Sequence, residues 1–523
     1  MLRRYTASAN NTIVSAFKPN LTTRGTGANA GRADVVEAFS IYGRQTTSSQ
    51  ELSRILMQFP ISGINADRTS GAIPASGSVS FYLKLFNAPH SKTVPVDYKL
   101  VISALTKQWE EGSGLDLEGY SDLVSGNIGS DWVQARRGTN WTNVGGDYKG
   151  HAENGGDCLY QQAFSNGTED LEVNITPLVE RWIAGTVNNY GLMIKLSGTY
   201  EASGAASSVA SDSNIILNTT GSTNSYYTKR FFARGTQYFF KKPAIEARWD
   251  STTRDDRGNF FFSSSRAPAA DNLNTIYFYN IVRSRLTNLP KIGSSYGTAD
   301  STIRVSLFSG SADNSRPSGS ALSLCNSVTA LTAGWVSTGI YSCSVCVPSS
   351  SITTLYDVWY SGSNALTQPG SGTPEYLTGT IRPMVLGNGT TTMDNIYRLS
   401  ITNLESRYMP KDTVRMNVFI RKKNWSPTIY NVATSNVESE TVISASYRVY
   451  RLMDSYTAIP YGTGSDYQTG LSYDVSGNYF DLNMNLLQPG YAYGIKLAFY
   501  NDRNSSWQEQ DEIFKFRVEE YEY

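Results

Sequence analysis

Histidine is almost absent from these 523 residues: only His90 and His151 occur. A Ser–His–Asp or Cys–His catalytic set would have to use one of them, and no Gly-x-Ser-x-Gly elbow leads from a strand into a helix. Phosphate-binding Gly-Lys-Ser/Thr loops, His-Glu-x-x-His helices and EF-hand loops are missing too. Charge is scarce and balanced, with 45 basic and 45 acidic side chains and no long run of one sign. That argues against a broad electrostatic hold on nucleic acid or an anionic membrane. No stretch approaches the ~18 consecutive apolar residues of a membrane-spanning helix. The opening MLRRYTASANNTIVSAF has no apolar run behind its two arginines, so it does not read as a secretory signal, and synthesis in a cytoplasm is expected. Cysteine is limited to Cys158, Cys325, Cys343 and Cys346. In CSVC the two thiols would point to opposite faces of a strand, with no histidine nearby to complete a zinc set. Buried free thiols are therefore expected.

Long Ala/Glu/Lys/Leu helices are missing as well, while Tyr (34), Trp (9), Thr, Ser, Asn and Gly abound. This composition predicts an all-β protein with aromatic rings in cores or at contact surfaces. In the first 250 residues, strand-like segments lie at 51–61, 77–88, 97–105 and 190–196, then in YTKRFFAR and KKPAIEARWD. Alternation and regular turn signals indicate an antiparallel sandwich. TPLVERWIAG is the exception: Thr176 reads as an N-cap, Pro177 as a first-turn residue and Gly185 as a stop. Leu178, Val179 and Trp182 share a face, so this short helix is expected to cap the open end of the sandwich.

From Asp250 the texture changes to STTRDDRGNFFFSSSRAPAADN, which reads as a linker. An internal repeat follows: LTNL then STIRVSLF (301–308), and ITNL then DTVRMNVF (412–419), with LYDVWY (355–360) matched to AYGIKL (492–497). Spacings of roughly 110 to 135 residues match one sandwich module each. The expectation is three β-sandwiches in series: 1–250, 251–390 and 391–523. In the two repeats, Ile303, Val305 and Leu307 should face a core as Val414, Met416 and Val418 do, with Arg304 and Arg415 pointing outward.

Several segments between Ser53 and Trp249 carry a family likeness. SRILMQFPI, WEEGSG, GTNWTNVGGDY, VNITPLVERWIAGTVNNYGLMIKL and YTKRFFARGTQYFFKKPAIEARW resemble, in order, the signature segments of DNRLRE-type β-sandwich domains. Where that family has Asp-Val-Thr before the helix, this chain has Asn174-Ile175-Thr176. The resemblance implies a carbohydrate-binding-module-like first domain of non-catalytic character; the repeat spacing is what suggests two immunoglobulin-like sandwiches after it. The opening 43 residues and VRMNVFIRKKNWSPTIYNVA resemble virion structural proteins of tailed phages, particularly contractile-tailed, cyanophage-like ones.

Candidate sites are few. Asp116, Glu118 and Asp122, in WEEGSGLDLEGYSD, form a candidate cation site, since Ca²⁺ prefers carboxylate and carbonyl oxygens. Glu111 with Asp116 is the pair a glycosidase would need. Trp132 and Tyr120 are candidate glycan contacts, while Trp109 and Trp141 read as packing residues of the signature. No catalytic residue and no cofactor is expected. The reading is a non-enzymatic phage virion protein, assembled in the host cytoplasm. It would act at the neck, tail or baseplate through contacts with other virion proteins and with copies of itself, not with nucleic acid or membrane. A receptor- or carbohydrate-binding adhesin and a capsid decoration protein are the alternatives. Aromatic clusters such as FFF (260–262) are expected at interfaces, and the polar N-terminus is expected to reach a neighbour without serving the core.

Overall fold

The computed structural model describes residues 1–43, 49–90, 93–115, 117, 120, 129–150, 158–204, 218–289, 302–310, 319–348, 350–362, 374–384, 397–423, 425–426, 439–501 and 504–520. The fold is all-β, with antiparallel sheets dominating and two short α-helices among the described residues. The chain divides into two compact units. The first comprises Met1–Asp250 with Gly462–Thr469 and Leu486–Gln488; the second comprises Ser251–Tyr461, Gly470–Asn485 and Pro489–Tyr523.

In the first unit the strands are β1 (Leu2–Thr6), β2 (Ala9–Ser15), β3 (Val35–Gly43), β4 (Ser49–Gln58), β5 (Ser80–Leu85), β6 (Tyr98–Ala104), β7 (Gln134–Arg136), β8 (Thr139–Asn140), β9 (Leu159–Phe164), β10 (Leu171–Asn174), β11 (Leu192–Leu196), β12 (Tyr226–Phe232) and β13 (Ala244–Arg248). One sheet runs β1-β13-β5-β10 and the other β12-β3-β4-β11-β6-β9, with β2 also paired to β4. Ile55 and Met57 of β4, with Leu192 and Ile194 of β11, face the core shared with Phe81 and Leu83 of β5 and Ile245 of β13. Leu52, Leu56 and Met193, from alternate positions, face the opposite way and pack under Trp109, Trp132 and Trp141. The larger sheet is thus covered on both faces, which explains why β11 reads Leu-Met-Ile-Lys-Leu with every residue buried.

The helix α2 (Thr176–Ile183) does bury Leu178, Val179 and Trp182 in the main core. Thr176 is not its N-cap: Ile175 holds that position without a side-chain cap bond. The Thr176 hydroxyl instead accepts from Phe81 N at 2.7 Å and donates to Asn174 Oδ1, joining the helix start to strand β5. The C-terminus is a Schellman turn, with Thr186 N donating to Arg181 O, Gly185 N to Trp182 O, and Gly185 left-handed at φ +71°. A second helix, α1 (Ile61–Thr69), follows β4, which ends at Gln58 and not at the expected Ile61. Its Arg68 grips Glu180 of α2 through two 2.6 Å hydrogen bonds.

The N-terminus is a structural strand, contrary to the peripheral role expected of it. β1 pairs with β13 over Leu2–Thr6, Leu2 and Tyr5 are buried, and Asn10 and Asn11 are fully enclosed. Their polarity hides a core function: the Asn11 amide donates to Ser130 O, and its oxygen accepts from Ala30 N.

In the second unit the strands fall into two groups. Strands within 274–381 form the sheets 274–279/340–345/334–337 and 331–332/302–309/355–362/375–381. Strands within 397–518 form the sheets 397–401/413–422/477–483/472–474 and 407–408/514–518/492–501/445–451/457–459, with 506–509 added to 492–501. The expected boundary between 390 and 391 falls outside the described residues. The segment after Asp250 is not a linker. Arg257 makes ion pairs with Asp255 and Asp357, Phe260 is fully buried, and Tyr473 donates to Asp256 at 2.7 Å. Phe260 and Phe231 serve the cores of their own units, not an interface.

The repeat holds only in part. Ile303, Val305 and Leu307 are buried on one face, as are Met416 and Val418, with Val414 half-exposed. Arg415 faces outward and pairs with Asp481. Arg304 does not: it is buried and donates to Thr332 Oγ1. The reason is crowding on that face of the sheet: Phe308, Tyr356, Val358 and Tyr360 of the same two strands cluster there with Ala321, and Tyr360 stands directly across from Arg304. Strand 302–309 pairs with 355–362, whereas 413–422 pairs with 477–483 and 492–501 lies in the other sheet. The matched segments beyond the first strand are therefore not equivalent.

Candidate functional surfaces

The loop between β6 and β9 carries the aromatic residues singled out by sequence. Trp132 is fully enclosed and Trp109 and Trp141 nearly so, with Trp109 Nε1 donating to Tyr190 O and Trp141 Nε1 to Asp131 O. An enclosed indole has no face to offer a sugar, so Trp132 is corrected from glycan contact to packing residue. Tyr120 is half-buried with its ring 6.3 Å from that of Phe39, and burial, with Glu51 and Glu37 nearby, pushes its hydroxyl up to about 12. Asp116, Glu118 and Asp122 lie outside the described residues, as does His151. Glu111 accepts from Asn10 N and pairs with Arg234 at 2.5 Å. It holds the chain together, while its expected partner Asp116 lies outside the described residues.

Beneath the tryptophans is a polar cluster that sequence reading missed. Arg54 of β4 and Lys195 of β11 stand on the same outer face, and Glu201 bridges them at 3.1 and 3.2 Å. All three are buried. Burial and the neighbouring Arg54 lower Lys195 to about 8, with Glu201 opposing. Burial alone would raise the Glu201 carboxyl, but Arg54 and Lys195 outweigh it and hold it below its usual range. Arg54 also donates to Gly145 O at 2.8 Å and lies 5.2 Å from the Trp132 ring. Tyr148 roofs the cluster, its ring 5.7 Å from both cations. The Gly145-Gly146 pair lets the chain pass this close: a Cβ on Gly146, at φ +104°, would stand 2.1 Å from Met193 Cε.

Above Tyr148 opens a polar cleft of about 360 Å³, walled by Thr106, Lys107, Thr142, Asn143 and Asp147. Asp147 is committed to the backbone N–H groups of Thr142 and Asn143. The cleft presents hydroxyls, an amide, one aromatic ring and the Lys107 ammonium, 4.0 Å from Asp147. It has the chemistry of hydrogen bonding to a polar ligand.

The second unit offers two further surfaces. A groove of about 640 Å³ has a floor of Leu273, Leu324 and Leu331 beside a disulfide between Cys325 and Cys346. That bridge overturns the expectation of four free thiols; Cys158 and Cys343 are buried and take no part in a disulfide. Spacing alone could not show it, because four cysteines allow three pairings. The other surface is an exposed apolar edge. Ile281, Val282, Leu286, Trp335 and Val336 are each 42–62% exposed. The first three lie on a hairpin of 281–282 with 285–286, and the last two on the edge strand Gly334–Ser337. Asn288 joins the two pieces, accepting from Trp335 Nε1 and Gly339 N through one oxygen.

Compared with known proteins, the chain matches no family model, and no curated protein matches it significantly.

Proposed function

We propose that this chain is a non-enzymatic structural protein of a tailed-phage virion, a neck, tail or baseplate accessory that works by protein–protein contact. One observation carries the non-enzymatic part. Three deeply buried carboxylates are sealed into ion-pair networks within the units. Glu201 is held by Arg54 and Lys195, Glu246 by Arg4 and Arg248, and Asp357 by Arg257. Catalytic groups of that kind belong in a cleft that substrate can reach. The surfaces that are open are largely apolar or polar, with few charges, which suits contact. The resemblance of the first 250 residues to DNRLRE-type domains and of other segments to contractile-tailed phage proteins supplies the setting. Immuno-electron microscopy of purified particles tests it: label at the neck, tail or baseplate is expected, and particles without label would refute it.

A second reading, glycan binding by the first unit, draws on the Tyr148 cleft. An aromatic ring among Thr106, Thr142, Asn143 and Lys107 suits a sugar's apolar face and hydroxyls. Glycan-array binding that disappears in Tyr148→Ala while the fold persists would favour it over assembly alone.

A further inference from the structure

Natural proteins seldom leave an apolar strand edge open, because its unpaired N–H and C=O groups recruit other chains. The edge strand Gly334–Ser337 is short and irregular between Trp335 and Ser337, but it carries no charged side chain. Among the described residues it pairs only with 340–345, no strand lies on its other side, and all four of its residues are exposed. Instead of a lysine or a proline it carries Trp335 and Val336. Beside it the 281–286 hairpin projects with every residue exposed. Its two turn residues, Arg283 and Ser284, both adopt left-handed backbone, at φ +50° and +62°. Neither is glycine or asparagine, so the tight turn holds two strained positions at a solvent-exposed tip, a pattern that accompanies function more often than stability. The hairpin also brings two cations to an apolar surface. Arg283 and Arg285 are exposed and form no ion pair among the described residues, whereas Arg68, Arg257, Arg415 and Arg451 each have a carboxylate partner.

We propose that this end of the second unit is a docking site for an extended, acidic segment of another protein chain. The segment adds as a strand to the open side of Gly334–Ser337. Its alternate apolar side chains cover Trp335, Ile281 and Leu286, and its carboxylates meet Arg283 and Arg285. Main-chain hydrogen bonds supply affinity in such strand addition, and the flanking side chains supply selectivity. Charge decides the occupant. A basic or neutral strand would leave both guanidiniums unpaired beside apolar surface, and an apolar small molecule would leave the strand edge unsatisfied. The inference rests on the assembly reading only in taking the partner to be a protein.

The test uses the full chain and two labelled ten-residue peptides, one alternating valine with glutamate and one alternating valine with lysine, followed by fluorescence anisotropy. Saturable binding of the glutamate peptide alone is expected, weakened about tenfold or more in Arg283→Glu/Arg285→Glu, as two exposed ion pairs turned repulsive would give. Both changes lie on an exposed turn and leave the cores intact, which far-ultraviolet circular dichroism checks. Equal binding of the two peptides, or no effect of the double substitution, overturns the proposal. So does sedimentation showing that the chain self-associates through this edge without binding either peptide, which assigns the surface to a second copy. Failure here leaves immuno-labelling of particles unaffected, so the two readings fail separately.

Discussion

Opening the Cys325–Cys346 bridge perturbs the second unit at one covalent point and nowhere else. The two cysteines are 21 residues apart. Chain-entropy arguments assign a loop of this length about 3.3 kcal/mol at 25 °C, through the extra freedom an unbridged unfolded chain recovers. The folded state should survive the cut. Cys325 N still donates to Cys346 O at 3.0 Å, and Leu324, Val345 and Val347 remain buried around the two sulfurs. Cys325 itself is exposed, so a free thiol there leaves no buried group without a partner. The destabilisation should therefore appear nearly undiluted, as a fall of roughly 7–13 °C in melting temperature for a unit of this size. Hydrogen exchange with mass spectrometry localises it. In reductant, or in Cys325→Ser/Cys346→Ser, amides of strands 302–309 and 355–362 should exchange about two orders of magnitude faster. Those of β5 and β11 in the first unit should not change. Unaltered protection in the second unit, or equal loss in both, would refute the reasoning.

Three further outcomes are expected. Trp182→Ala should destabilise the first unit by ~3–5 kcal/mol, because the indole is core and the helix cannot close over the gap; chemical denaturation measures it. Deleting residues 1–10 should unfold the first unit, since it strips β1 from β13 and removes Leu2 and Tyr5 from the core; a truncated chain with native circular dichroism and melting would contradict this. Glu246 should make stability acid-sensitive. Burial would raise its carboxyl, but Arg4 and Arg248 outweigh that and lower it from 4.5 to about 2. A depressed folded value stabilises above pH ~4.5, and that contribution, up to about 3 kcal/mol, is lost as pH falls toward 2. In Glu246→Gln the stability should be lower at neutral pH and flatter across that window.

Strand positions in the first unit were legible because apolar alternation and turn residues mark them, and α2 because its buried face and Gly185 stop are written locally. α1 was not legible: it buries only Ile64, and it is held by Arg68 on Glu180, a contact 112 residues distant. The N-terminal strand was misread for a related reason. Asn10 and Asn11 look like surface residues, yet their amides satisfy backbone groups across the core. Arg54, Lys195 and Glu201 are invisible as a cluster in sequence, since strand pairing alone brings 54 and 195 together. Arg304 reads as outward by alternation and is outward from its core, but large side chains of its own sheet crowd that face, and alternation cannot tell an open face from a crowded one. Trp132 was visible as a residue that matters, while its burial depended on how the loop folds back over β4 and β11.

The central claim is that the chain is a built-in part of a virion, held by contacts that are largely apolar. Quantitative mass spectrometry of gradient-purified particles, before and after a high-salt wash, tests this most directly. Near-zero net charge and an exposed apolar edge predict attachment that salt does not screen. The expected result is a fixed whole-number ratio to the main particle proteins, unchanged by the wash. A chain absent from the particles and recovered only in the soluble lysate would contradict the account.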